Sequence, residues 1–367
     1  MSPTQPADRP VAAVCEAIRA AARDGRALRL IGGGTKDFLG QVLAGDRLEL
    51  GGVRGIVSYE PTELVLRVRC GTPLAEVHEA LAAQGQMLAF EPPAFGDAAT
   101  IGGVVAAGLS GPRRVRAGAV RDFVLGVTIA DGQGQLLRFG GQVMKNVAGY
   151  DVARVMCGSF GILGPILDVS LKVLPRPQRE TSVRLALDAD EVIGVMNRWQ
   201  GEPLPVSATC WRDGEARVRL SGAPAAVDAA LARFTDGHGA TPIDADEAEH
   251  GWRELREQTD PFFSEGLSAT PLWRLSLPST AAWPELPGRW LLEWGGALRW
   301  LRSDAEAGRI RAECERLGGT AMLFRGGDRA VGVFHPLREV NRRVHRQLRQ
   351  AFDPAGMFNP GRMYAAL

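Results

Sequence analysis

The 367-residue chain has little lysine and little histidine, and each shortage excludes something. Lysine occurs only at 36, 145 and 172, so nearly all of the 43 basic side chains are arginine. They are offset by 42 acidic ones, leaving a formal charge of +1. That balance gives no basic footprint for nucleic acid and no polybasic membrane patch. The five cysteines (15, 70, 157, 210 and 314) are scattered without a Cys-x-x-Cys pair. Such a set argues against a disulfide framework and against zinc or an iron–sulfur cluster carried by this chain. The five histidines (78, 238, 250, 335 and 345) are isolated, so no metal site is expected. No apolar stretch is long enough to span a bilayer. The start lacks a basic segment followed by a long apolar core and reads as a short tail before an amphipathic helix, not a signal peptide.

Glycine, by contrast, is plentiful and clustered. "LIGGGTKDF" (30–38) places three consecutive glycines after a short apolar run. Successive bare N–H groups suit an anion, most often a phosphate, and a tight turn after a strand is the competing reading. Neither common phosphate motif fits. A P-loop requires Gly-Lys-Ser/Thr, and the last glycine of a Rossmann fingerprint falls on Asp37. Two further clusters follow: "TIGGVVAAGLSG" (100–111), with Thr100, Gly102 and Gly103, and "GSFGILG" (158–164). Small residues there permit a backbone to approach an extended ligand closely.

Between the clusters the pattern alternates. A helix is expected over 10–24, strands at 28–31, 46–50, 55–61 and 63–71, and a helix after Pro73. Strands return at 122–130 and 135–139, joined by "DGQG" as a hairpin. The Pro-rich run 175–180 reads as a boundary. Beyond it come strand 181–187, helix 190–200, strands 205–212 and 215–220, and helix 224–236, the order of a split βαβ layer. Residues 245–300 carry most of the tryptophans and resist parsing. A basic amphipathic helix precedes the closing "FDPAGMFNPGRMY" (352–364).

The three glycine clusters and this ending, in this order, resemble the vanillyl-alcohol oxidase/p-cresol methylhydroxylase family of flavoproteins. More narrowly, "GGGTKDFLG", "RVRAGAVRDFVLGV" and "VMKNVAGYDVARVMCGSFGILG" resemble the FAD-binding subunits of bacterial glycolate oxidases. The resemblance implies an α+β fold: a two-subdomain FAD-binding domain over 1–178, a smaller cap of split βαβ (ferredoxin-like) type over 179–334, and a C-terminal segment, 335–367, returning to the FAD domain. It implies FAD contacts from Gly32, Gly33, Gly34, Thr35, Lys36, Asp97, Thr100, Ile101, Gly102, Gly103, Lys145, Gly158, Ser159, Gly161, Ile162 and Asn359. Relatives that tether FAD often do so through a histidine in or just after the first loop, where this chain has Lys36 and Asp37, and no cysteine lies in the Thr100 region, so the FAD is expected to be non-covalent. Asp97 reads equally as a helix cap.

The implied activity is oxidation of glycolate, a small 2-hydroxy acid, to glyoxylate, with electrons leaving through an iron–sulfur subunit. A larger FAD-containing subunit is the other implied partner. The His-x-x-x-Asp/Gly-x-Asn-x-His element of that larger chain is missing here, which favours relay of electrons over independent substrate oxidation. A stand-alone oxidase of another hydroxy acid or alcohol, and a non-catalytic scaffold, are the alternatives. His335, Tyr150 and Lys145 are the weak candidates for a catalytic role. The six tryptophans of 245–300 are read as either cap core or partner anchors. The expected location is the cytoplasm, at the inner face of the inner membrane through partners.

Overall fold

Val11, Val14, Cys15, Ile18 and Ala21 recur at helical spacing and form the buried face of α1 (Arg9–Asp24). In the computed structural model, which describes residues 9–141 and 150–365, α1 leads into a small parallel pair. Its strands are β1 (Leu28–Ile31) and β2 (Asp46–Glu49). Next come β3 (Ile56–Glu60), β4 (Val65–Arg69), α2 (Leu74–Ala82) and β5 (Gln86–Met87). The segment from 88 to 123 holds two short helices, α3 (Ile101–Ala107) and α4 (Arg114–Ala117). The hairpin β6 (Val124–Ala130) and β7 (Leu136–Gly140) turns at Asp131, whose carboxylate accepts from the N–H groups of Gln133 and Gln135. After α5 (Val152–Val155), β8 (Ile166–Lys172) runs through the middle of an antiparallel sheet ordered β3-β4-β8-β6-β7. It is buried on both faces, and its inward Asp168 is satisfied by Arg67 and Thr128. Short β9 (Leu174–Pro175) pairs with β5.

An eight-stranded antiparallel sheet follows. Its first half is β10 (Arg179–Ala186), α6 (Ala189–Gly201), β11 (Val206–Arg212), β12 (Glu215–Gly222), α7 (Pro224–His238) and β13 (Thr241–Ile243). The strand order β13-β10-β12-β11 is that of a split βαβ unit. After α8 (Ala245–Glu257) and α9 (Pro261–Ser264), the second half repeats this order. Strands β14 (Leu272–Ser276), β15 (Arg289–Glu293), β16 (Leu298–Arg302) and, after α10 (Ala307–Arg316), β17 (Thr320–Arg325) lie as β15-β16-β14-β17. A loop stands where the first helix of this half would be. The halves join edge to edge through β11 and β15.

Helix α11 (Glu339–Phe352) then leads the chain back to β1. The Leu28 N–H donates to Met357 O at 2.8 Å, and the Asn359 N–H to Leu28 O at 2.9 Å. Asp353 turns this segment by accepting from Met357 N and Phe358 N at 3.0 and 2.8 Å. The ending "FDPAGMFNPG" is thus a turn that adds a short strand-like contact beside the glycine loop.

The tryptophans are not partner anchors. Trp252, Trp273, Trp290, Trp294 and Trp300 are all buried, and Trp283 is packed against the cap core. Trp252, Trp294 and Trp300 belong to a third apolar cluster with Leu39 and Ala107, between the first half of the chain and the second. Buried indole N–H groups usually find a partner, although the Trp273 Nε1 is buried without one. Trp294 finds Gly111 O at 3.0 Å, Trp252 the Ser182 hydroxyl at 2.9 Å, and Trp300 the Glu293 carboxylate at 2.7 Å.

Candidate functional site

The glycine loop that follows β1 packs against residues 98–100. A Cβ on Gly33 would stand 1.5 Å from Ala98 O, and one on Gly32 would stand 2.5 Å from the Thr100 hydroxyl. Gly34 has φ +72°, the left-handed region. Two of the three glycines are therefore required by neighbouring chain, and the third by backbone conformation. The result faces a cavity lined by Gly32–Asp37, Thr100, Gly102, Gly103, Ala106, Ala107, Phe160, Gly161 and Asn359, among others. Among the described residues, no protein acceptor takes the N–H groups of Gly33, Gly34, Thr35 and Lys36. Four consecutive free donors in a concave wall form a nest for an anion.

Two cations border it. Lys36 is largely buried, and burial pulls its pKa down to about 8, with Glu257 opposing. Its ammonium donates to Ala94 O at 3.0 Å, as the Thr35 hydroxyl does at 2.8 Å. Arg362 threads behind the loop and donates to Gln41 O, Lys36 O and Asp37 O at 3.0–3.3 Å. Burial lowers its pKa to about 10. Both groups gain from an anion that neutralises them in this desolvated setting.

The opposite wall is α3. Thr100 is its N-cap, with the hydroxyl accepting from Gly103 N at 3.3 Å. Gly102 abuts Cys70, where a Cβ would come within 2.7 Å of the Cys70 Cβ. A Cβ on Gly103 would meet only the Thr100 hydroxyl, at 3.3 Å, and would otherwise point into the cavity. At the far end, Asn359 holds two segments together. Its Oδ1 accepts from Leu30 N at 2.9 Å, and its Nδ2 donates to Phe160 O at 2.7 Å. A Cβ on Gly161 would collide with that amide at 2.7 Å. The second half of the chain reaches in through Glu257, which accepts from the Ala94 and Phe95 N–H groups, each at 2.9 Å. Residue 94 thus links the Glu257 carboxylate to Thr35 and Lys36.

A nest of free N–H groups, two buried cations and a glycine wall suit a dinucleotide's diphosphate. Comparison with known proteins agrees. Residues 9–140 match the FAD binding domain family. Glycolate oxidase subunit GlcE of Escherichia coli (strain K12) is 48% identical over 355 residues, 97% of each chain. The chain belongs to the GlcE family of glycolate oxidase subunits. It therefore carries an FAD-binding domain. Its fold is that of 4-ethylphenol oxidase from Gulosibacter chungangensis, with a TM-score of 0.68 at 14% identity, covering 97% of this chain and 88% of that one. D-2-hydroxyglutarate dehydrogenase of Xanthomonas citri pv. viticola is 32% identical over 137 residues, 37% of this chain and 29% of that protein.

The structure brings Gly32, Gly33, Gly34, Thr35, Lys36, Thr100, Gly102, Gly103, Gly161 and Asn359 to one cavity. It does not bring the others there. Asp97 is exposed, and the helix cap is Thr100 instead. The Ile101 and Ile162 side chains are buried in the apolar core of the first half, and the Ile101 N–H is taken by Thr72 O. Gly158 packs against α3, with its Cα 2.8 Å from where a Cβ on Gly108 would stand. Ser159 is buried off the cavity wall.

Tyr150 is 96% exposed, which removes it from any enclosed chemistry. Lys145 lies outside the described residues. His335 has both ring nitrogens engaged, one near Ala321 N at 3.3 Å and the other with Glu315 at 3.1 Å, and is not free as a base. Sequence reasoning missed Arg362, although it stands inside the quoted "NPGRMY". It also missed Phe160, Ala106 and Ala107, which line the cavity from within quoted runs. Glu257 carried no signal, because its partners are 162 and 163 positions away.

Proposed function

We propose that this chain is the FAD-carrying subunit of a glycolate-oxidising complex and that it binds FAD without a covalent bond. The observation that carries this reading is the run of free N–H groups at Gly33–Lys36 beside Lys36 and Arg362. In this account residues up to 178 and 335–367 form the cofactor unit, and 179–334 the cap. Gly33–Lys36 and Thr100 hold the diphosphate, Gly103 lets it lie close, and Asn359 fixes the wall opposite. When bound, FAD would supply a two-electron centre through which the electrons of glycolate oxidation pass to the partner subunits. The partners are a larger FAD-containing subunit and an iron–sulfur subunit, and the site of action is the inner face of the cytoplasmic membrane. Among the described residues no helix is long and apolar enough to cross a membrane.

Acid precipitation of the purified yellow chain tests the cofactor reading. Flavin should appear in the supernatant as FAD. A colourless native protein, or flavin that stays with the pellet, would contradict it. Pull-down from the native host should return the two partner subunits at constant ratio. A second reading, in which this chain oxidises the acid itself, draws support from the adjoining cavity described next. Anaerobic bleaching of the isolated chain by glycolate would favour it.

A further inference from the structure

A second cavity of about 550 Å³ adjoins the first and shares Ala107 and Phe160 as walls. Leu109, Met322, Phe334 and Leu337 give it an apolar lining. Arg274 and Ser276, alternate residues on β14, project into it. Among the described residues, the Arg274 guanidinium makes one hydrogen bond, from Nη1 to the Ser276 hydroxyl at 3.1 Å. It has no carboxylate within ion-pair distance there. Its other contacts are the faces of Trp294 and Trp300, with centroids 5.3 and 6.0 Å away. Arg114 stacks on the same Trp294 ring at 4.3 Å. Two guanidinium groups thus share one indole, and only Arg274 of the two lines the cavity.

A guanidinium carries five N–H donors and does not shed its proton. Enclosed without a counter-ion it is costly, and the cost is relieved by an anion that takes its donors. Burial and Arg114 pull the Arg274 pKa down to about 10. Glu293 opposes this shift but forms no ion pair with Arg274 among the described residues. Two of the other polar groups on its walls are committed, while Arg338 and Asn341 are exposed. The Tyr364 hydroxyl donates to His335 O at 3.0 Å, and His335 pairs with Glu315.

We propose that this cavity binds a carboxylate ligand anchored by Arg274, and that it admits 2-hydroxy acids longer than glycolate. This rests on the FAD reading only for its placement beside the flavin. Glycolate, at about 30 Å³ per non-hydrogen atom as in liquid water, fills only about a quarter of the space. The remaining walls mix Leu109, Met322, Phe334 and Leu337 with the polar Thr320, Arg338 and Asn341, and leave room for a longer carbon chain.

The test is calorimetric titration of the purified chain with oxalate and with glutarate, neither of which can donate a hydride. FAD content is read separately from the 450 nm absorbance, so loss of flavin and loss of acid binding remain distinguishable. Both acids should bind saturably to one site. Arg274→Met should weaken both at least tenfold while FAD content stays unchanged. Arg274→Lys keeps the charge but loses the planar fork, and it should weaken them several-fold even if the Met variant fails to fold. Absence of saturable binding in the wild type, or unchanged affinity in either folded variant, overturns the anion site. Binding of oxalate without glutarate overturns the claim about size.

Discussion

Glu293 sits in the cluster between the cap and the FAD-binding half and is 4% exposed. Burial raises its pKa from an ordinary 4.5 to about 7, against the opposing hydrogen bond from Trp300 and the charge of Arg274. The folded state therefore holds a proton that the unfolded chain releases. Stability from this group is fully present below pH 4.5 and is lost as pH rises to about 7, after which it is constant. The interval from 4.5 to about 7, at about 1.4 kcal/mol per pH unit, corresponds to about 3 kcal/mol. Glu293→Gln removes the charge and keeps an oxygen for the Trp300 N–H. The variant should match wild type at pH 5 and be more stable at pH 8.5. The gain should be about 1–3 kcal/mol, because the new amide N–H groups need partners of their own. Thermal unfolding by circular dichroism at the two pH values measures it, at about 2–4 °C per kcal/mol for a unit of this size. A difference between variant and wild type that does not change with pH would refute the reasoning, as would a variant less stable at pH 8.5.

Lys36, with its pKa near 8, should make FAD affinity depend on pH. An anion favours the protonated form, so the dissociation constant should be flat below pH 7 and rise towards tenfold per pH unit above 8. Fluorescence titration of the apoprotein should show this rise in wild type, and Lys36→Met should bind more weakly with a flat profile; an equally steep rise in the variant would exclude Lys36. Asn359→Ala leaves the Leu30 N–H and the Phe160 carbonyl without partners, which should cost about 2–4 kcal/mol in urea unfolding and loosen FAD. A loss below 1 kcal/mol would mean that water replaces the amide.

Local order was legible where period and turn chemistry agreed. The spacing of Val11, Val14, Ile18 and Ala21 marks α1, Asp131 and Gly134 mark the hairpin, and β10 to α7 follow their apolar patterns. The stretch 245–300 was not legible, because five-residue strands there carry Arg274, Glu293 and Arg299 inward. Arg299 is fully buried and donates to Gly296 O, Ala282 O and Ala281 O. A charged residue in such a position reads as surface until its distant partners are known. The repeat of strand order within the cap was hidden for a similar reason, since a loop replaces one helix. In the site, the glycine clusters point to the loops that line the cavity, but not every residue named from them lies on its wall. Glycine responds to ligand, to neighbouring chain and to backbone conformation alike, and Gly33 answers to chain and Gly158 to its φ of +77°. Arg274 and Glu257 gain their meaning only from contacts between the halves.

Gly103 separates the two demands most sharply, because it is the α3 glycine whose missing Cβ faces the cavity rather than another backbone. The measurement that tests the account most directly is the flavin absorbance of purified wild type and Gly103→Val at equal protein concentration, with far-UV circular dichroism as the check on folding. The account predicts close to one FAD per wild-type chain and a folded variant that is nearly colourless. A folded variant that retains FAD as tightly as wild type would show that the cofactor does not lie against this wall.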